Sequence, residues 1–120
     1  MRRILIIIVV LSAFCASAVQ ASELLMFRRA GCPWCAAWDR EIKPIYPNTE
    51  IGRRVPIKMV DLDHDSEQKA ALKMPVRFTP TFVLIDQDQE IGRIEGYPGE
   101  AFFWGLLENL LPRSTAEAPR

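Results

Sequence analysis

The chain has 120 residues, room for one compact domain and not for two. Its 15 basic and 15 acidic residues cancel, so it lacks the basic excess of a nucleic-acid binder, and with His64 as the only histidine nothing points to a histidine-based metal enzyme. Apolar residues are unevenly placed, sixteen of the first 21 against 43 of the remaining 99, so an apolar leader precedes a stretch of ordinary globular composition.

The leader reads as an export signal. Met1-Arg2-Arg3 is a short basic start, residues 4–14 are apolar apart from Ser12, and small residues follow through Ala21. Val19 and Ala21 stand at −3 and −1 for cleavage before Ser22, and Ala16 and Ala18 offer a second site. The apolar run falls short of the roughly 20 residues a bilayer span needs, so membrane contact is expected only through the uncleaved signal. Phe14 disfavours a lipoprotein signal at Cys15, and Arg2-Arg3 lack the polar surroundings of a Tat signal, which leaves Sec-type export to the periplasm. The expected organisation is a signal peptide over residues 1–21, a domain over 22–111 and a flexible, proline-bearing tail over 112–120.

Export removes Cys15 and leaves two cysteines, Cys32 and Cys35. A disulfide closing two intervening residues constrains little chain, so this pair serves chemistry rather than stability. Along the mature chain, Glu23-Leu24-Leu25-Met26-Phe27 predicts a buried strand, and Gly31 a flexible corner. From Pro33 the apolar residues Cys35, Trp38, Ile42 and Ile45 recur at helical intervals, with Pro33 suited to the first turn and Pro44 and Pro47 ending or kinking the helix. Residues 55–62 predict a second strand, and Asp65 a cap for a short helix through Leu72. Thr81-Phe82-Val83-Leu84-Ile85 is the richest strand in β-branched and aromatic residues, and residues 90–95 return antiparallel after a polar turn. Phe102, Phe103, Leu106, Leu107, Leu110 and Leu111 predict a final helix with a wide apolar face that also carries Trp104 as packing. The order is β-α-β-α-β-β-α, an α/β fold with a mixed sheet covered by helices.

A Cys-X-X-Cys between a strand and a helix is the arrangement that disulfide exchange needs. Unpaired N–H groups and partial positive charge at the helix start favour a thiolate, so Cys32 is expected as the exposed nucleophile and Cys35, one turn on, as the resolving thiol. Arg28 and Arg29 either add to that field or are simply solvated. Half a zinc site is the alternative, but beyond the two sulfurs the chain offers only His64 and carboxylates, and Pro33-Trp34 stiffens the loop against a copper-carrier role. Phe78-Thr79-Pro80-Thr81 adds a proline ahead of the third strand, expected to be cis, to face the cysteines and to leave the Thr79 backbone free to pair with an extended substrate. Asp61, Asp63 and Asp65 resemble the start of a calcium loop, but Ser66 and Leu72 stand where Gly and Glu are needed, so they read with His64 as a solvated loop.

Gly31-Cys32-Pro33-Trp34-Cys35 and Phe78-Thr79-Pro80-Thr81-Phe82-Val83 resemble the thioredoxin superfamily over nearly all of the mature chain. Glu41-Ile42-Lys43-Pro44-Ile45-Tyr46-Pro47, Gly92-Arg93-Ile94-Glu95-Gly96-Tyr97-Pro98-Gly99-Glu100 and the run from Phe102 to Leu107 look most like the SoxS-type periplasmic thioredoxins of bacterial sulfur-oxidation (Sox) systems. The resemblance implies a thioredoxin-like fold and a redox-active disulfide at Cys32 and Cys35. It also implies a substrate groove at Thr79, Pro80 and Trp34, a tuning role for Pro33, and no cofactor. The implied partners are a protein thiol or disulfide, such as the sulfur-carrier protein whose cysteine is trapped in an inactive disulfide, and a membrane thiol donor of electrons. Two features depart from the wider family. Met26 stands where general thioredoxins carry a buried acid, and Pro33-Trp34 is closer to glutaredoxin's Pro-Tyr than to thioredoxin's Gly-Pro, although the paired glycines with which glutaredoxins hold glutathione are missing. Alternatives open at this point are a general periplasmic oxidase or isomerase and a non-catalytic metal- or partner-binding module. The oxidase usually carries a large helical insertion, for which the about 45 residues between Cys35 and Pro80 leave no room.

Overall fold

The computed structural model describes residues 22–65 and 72–112. The expected signal, the tail beyond Pro112 and all but the two ends of the helix expected over residues 65–72 lie outside them. Four strands form one mixed sheet in the order β2-β1-β3-β4: β1 (Glu23–Arg28), β2 (Ile57–Asp61), β3 (Thr81–Asp86) and β4 (Gln89–Glu95). β1 is central, parallel to β2 and antiparallel to β3, and β3 pairs antiparallel with β4. The parallel pair is joined by the expected helix, α1 (Pro33–Glu41), and β3 and β4 by a tight hairpin in which Gln87 and Asp88 take positive φ.

Alternation along β1 divides the core between the two faces of the sheet. Leu24 and Met26 point to the face covered by α1 and α3 (Glu100–Leu110), where Cys35, Trp38, Phe82, Phe103 and Leu107 are buried. Leu25 and Phe27 point to the other, with Val60, Val83 and Ile85 beneath Leu62, Leu72 and Val76. Trp38 is the hub of the first cluster. Its ring meets Phe82 at 5.7 Å, Phe103 at 6.1 Å and Tyr46 at 6.3 Å, in tilted and edge-on contacts that aromatic quadrupoles favour. Trp104 stacks on Tyr46 at 5.8 Å and is a packing residue.

Three elements differ from expectation. The helical interval pointed to Ile45 as a core residue, but α1 stops at Glu41, and the chain turns through a 3₁₀ segment (Tyr46–Asn48) that buries Tyr46 and leaves Ile45 exposed. The buried phenol is satisfied by donating to the Val55 carbonyl at 2.7 Å. A short helix, α2 (Glu50–Arg54), then precedes β2, capped by the Thr49 hydroxyl, which accepts the Gly52 N–H at 2.9 Å. It takes the residues before Ile57 out of the expected strand, because the Val55 N–H closes the helix on Ile51 O. The apolar face of α3 is also narrower than its sequence. Phe103 and Leu107 are fully buried, whereas Phe102 is 71% and Leu106 42% exposed, because only one stripe of the helix meets the sheet. That approach is close: a Cβ on Gly92 of β4 would lie 2.5 Å from a Leu110 methyl.

One ion pair deep in β4 went unforeseen. Glu90 accepts from Arg93 at 2.5 and 3.2 Å, with side chains only 4% and 10% exposed. Arg93 also donates to the Met74 carbonyl at 2.9 Å and the Pro75 carbonyl at 3.4 Å, which anchors the segment that leads into Phe78-Thr79-Pro80. A charge left alone in such a place is costly. Arg93→Met is therefore expected to lower unfolding free energy by about 3–5 kcal/mol in urea titrations, with part of it recovered when Glu90→Gln is added.

Candidate active site

β1 delivers the chain to the site at one end of the sheet. After Arg28, Gly31 makes the turn with φ +77°, a conformation that side chains rarely adopt, and Cys32 follows in extended geometry as the N-cap of α1. The Cys32 Sγ accepts the Cys35 N–H at 3.1 Å, and Pro33 occupies the first turn, where its missing N–H leaves no bond unmade. The first turn of α1 carries no acidic residue, so the helix's own side chains leave its positive end at the sulfur unopposed.

Cys32 and Cys35 are joined by a disulfide, their Cα atoms 5.3 Å apart. Their surroundings differ. Cys35 is 1% exposed and packs in the cluster that holds Met26 and Trp38, whereas Cys32 is half-buried and opens onto a cavity of about 670 Å³. That cavity lies towards β2, between Arg28, Gly31, Ala36, Met59 and Asp61. On the β3 side, the pairing of Phe27 with Thr81 brings the residues ahead of β3 to the same end of the sheet. There the Thr79–Pro80 peptide is cis, Pro80 is buried, and its carbonyl accepts the Gly96 N–H at 2.7 Å. The Thr81 hydroxyl donates to the Phe78 carbonyl at 2.6 Å, and among the described residues the half-buried Thr79 makes no backbone-to-backbone hydrogen bond. Trp34 and Phe78, 63% and 58% exposed, add apolar surface at this end. Cys32, Pro33, Trp34 and Cys35 thus share the start of α1, and the β1–β3 register puts Thr79 and Pro80 at the same end of the sheet.

The charges at this end are paired rather than free. Arg28 grips Asp39 of α1 in a bidentate pair at 2.7 and 2.6 Å, and Arg29 meets Asp63 at 3.1 Å. Periodicity cannot reveal the Arg28–Asp39 contact, although Asp39 stands four residues past Cys35 and so on the same face of the helix. The guanidinium of Arg28 holds the Asp39 carboxyl below its ordinary range, and the bond to Asp39 raises Arg28 in return. Met26, in the place of a buried acid, is fully buried and brings no proton acceptor to Cys35. The carboxylates of Asp61 and Asp65 are turned inward on their own loop, accepting the N–H groups of Asp63 and Asp61 at 2.8 Å.

Because the Asp39 carboxyl is held below its unfolded value, the pair stabilises the fold at and above the ordinary carboxylate range and loses that contribution as pH falls through the lowered value. The stability gap between wild type and Asp39→Asn is expected to be constant near neutrality and to close in acid, measured as urea midpoints over a pH series.

A family described as a thioredoxin-like domain matches residues 16–111. Among solved structures, the periplasmic thioredoxin SoxS from Paracoccus pantotrophus, in its reduced form, is 46% identical with a TM-score of 0.64, over 74% of this chain and 94% of its own. The thioredoxins of Malassezia sympodialis and Fasciola hepatica share the fold at 23% and 22% identity, with TM-scores of 0.57 and 0.59. They align over 74% and 76% of this chain and 74% and 82% of their own. No curated protein sequence matches the chain. With the family match spanning the sheet and both cysteines, and those cysteines seated where β1 hands over to α1, the chain belongs to the thioredoxin-like domain family and is a thiol–disulfide oxidoreductase.

Proposed function

We propose that the protein is exported to the periplasm through residues 1–21, carries its catalytic domain in residues 22–111 with a tail over 112–120, and reduces a disulfide on a specific protein partner. The observation that carries the reading is the unequal burial of the two sulfurs: a half-buried Cys32 at the helix start and a Cys35 sealed beneath it. In the dithiol state the Cys32 thiolate attacks one sulfur of the partner's disulfide. That bond breaks, a mixed disulfide forms at Cys32 Sγ, and the partner's second sulfur leaves as a thiolate. Cys35 then gives up its proton and attacks Cys32 Sγ, which closes the Cys32–Cys35 disulfide and releases the partner's first sulfur. Two electrons have passed to the partner, and a membrane thiol donor restores the dithiol.

Thr79 supplies backbone groups on which an extended partner segment pairs, beside Pro80 and the exposed Trp34 ring, while Pro33 fixes the helix start and so tunes the thiolate. The sulfur-carrier protein of thiosulfate oxidation is the partner that the 46% identity to a SoxS thioredoxin supports, and the same likeness and the apolar leader support the periplasm. A general oxidase or a metal-holding module would give different outcomes in the same experiment.

Cys35→Ser is expected to accumulate a covalent adduct with the oxidised sulfur-carrier protein that a reducing agent releases, because the second step is lost. Cys32→Ser is expected to form none. Non-reducing electrophoresis with mass spectrometry reads both. An adduct on Cys32→Ser alone would reverse the roles. Retention of zinc or copper by the wild type with no exchange would replace the reading by a metal-holding one.

A further inference from the structure

We infer that the Arg28–Asp39 ion pair sets the thiolate affinity of Cys32, by holding a guanidinium on the cysteine side of the helix start and offsetting its charge from behind. The inference deepens the proposed function and rests on its reading of Cys32 as the attacking thiol. Arg28 is the last residue of β1 and Asp39 lies in the middle of α1, so their two hydrogen bonds tie strand to helix across the turn that carries Cys32. Both side chains are half-buried, 25% and 29% exposed, which lessens the screening relative to a fully exposed contact. A third contact, from Arg28 Nη1 to the Met59 sulfur at 3.9 Å, fixes the guanidinium against β2.

The pair is asymmetric towards the site. Arg28 lines the cavity onto which Cys32 opens, and Asp39 does not. The other charged groups lining that cavity are Arg29, paired with the exposed Asp63, Asp61 at the end of β2, which also meets His64 at 3.1 Å, and Asp65 from the loop that follows. The first turn of α1 adds no acid and Met26 no charge. Arg28 is thus the less exposed of the two cations on the cavity wall, and Asp39 is what restrains it. Removing the carboxylate unmasks a cation beside Cys32, and removing the guanidinium unmasks an anion. The two changes act on the thiolate with opposite signs, which a brace made of the same two residues would not do. Arg28 and Asp39 are positioning residues here, since they act through Cys32.

The test uses the mature protein in three variants, Asp39→Asn, Arg28→Gln and the double substitution, each checked for fold by circular dichroism and urea midpoint. The thiolate absorbance of Cys32 is followed against pH, and the dithiol–disulfide equilibrium is measured against a glutathione buffer. Asp39→Asn is expected to lower the thiolate midpoint by about 0.5–1 and to favour the dithiol state about three- to tenfold, the tenfold limit being about 30 mV more oxidising. Arg28→Gln is expected to shift both quantities the other way, and the double variant to return to within about twofold of wild type, the shifts shrinking in high salt. Arg28→Lys keeps the charge without the bidentate grip and is expected to hold the wild-type midpoint. Shifts of the same sign in both single variants, or lowered stability with unmoved midpoints, would overturn the inference and leave the pair as a brace. Alkylation mapping separates this from failure of the parent reading: Cys35 as the reactive thiol in wild type overturns both, whereas Cys32 reactive with unmoved midpoints overturns only the pair's role.

Discussion

At the start of α1 the Cys32 sulfur stands where an oxygen ordinarily accepts an orphan helix N–H, and it takes the amide of Cys35 at 3.1 Å. That contact fixes three things together. It defines where the helix begins, it turns the positive end of the helix onto the sulfur, and it sets the second cysteine one turn away within bonding reach. Gly31 makes it geometrically possible by taking the positive φ that lets β1 swing into the cap. Pro33 keeps the first turn helical without an N–H left over. The rest of the molecule holds this junction still.

Central placement of β1 explains why the site lies where it does. A strand paired on both sides cannot shift without breaking two ladders, so the turn after it is a well-supported platform. β2 then furnishes the charged cavity onto which Cys32 opens, and β3 begins at the same end of the sheet, just after Thr79 and Pro80. Trp38 anchors α1 from below by packing against Phe82 of β3 and Phe103 of α3, so the helix that carries both cysteines is wedged between sheet and final helix. Arg93 and Glu90 perform the corresponding service for the segment that enters Pro80.

Much of this was legible in the sequence because it depends on local pattern. Unbroken apolar runs marked β1 and β3, and the Cys-X-X-Cys spacing between a strand and a helix marked the chemistry. The Cys-Pro-Trp-Cys and Thr-Pro stretches marked the two sides of the site. What escaped depends on partners distant in sequence or on elements too short to show a period. α2 has five residues and one threonine cap, less than two turns of pattern. Ile45 and Tyr46 are adjacent and both apolar, and the 3₁₀ turn after Pro44 decided which was buried. Arg28 read as solvated or as part of a positive field because nothing local tells that an aspartate eleven residues on will grip it. Phe102 and Leu106 match the helical period of α3 and remain exposed, since periodicity shows which face is apolar and not how wide a stripe the sheet can cover.

The central claim is that this helix-capped pair runs in the reducing direction towards a protein partner. The direction is a free-energy difference between dithiol and disulfide, and about 30 mV is a tenfold change in that equilibrium. The measurement that tests it most directly is the reduction potential of the Cys32–Cys35 couple in the mature wild-type domain, equilibrated with a defined thiol buffer and read by alkylation. A reductant is expected near the thioredoxin end of the scale, about −270 mV, with the paired arginines leaving the thiolate only moderately favoured. A value near −120 mV, the range of a strong disulfide donor, would contradict the reducing role.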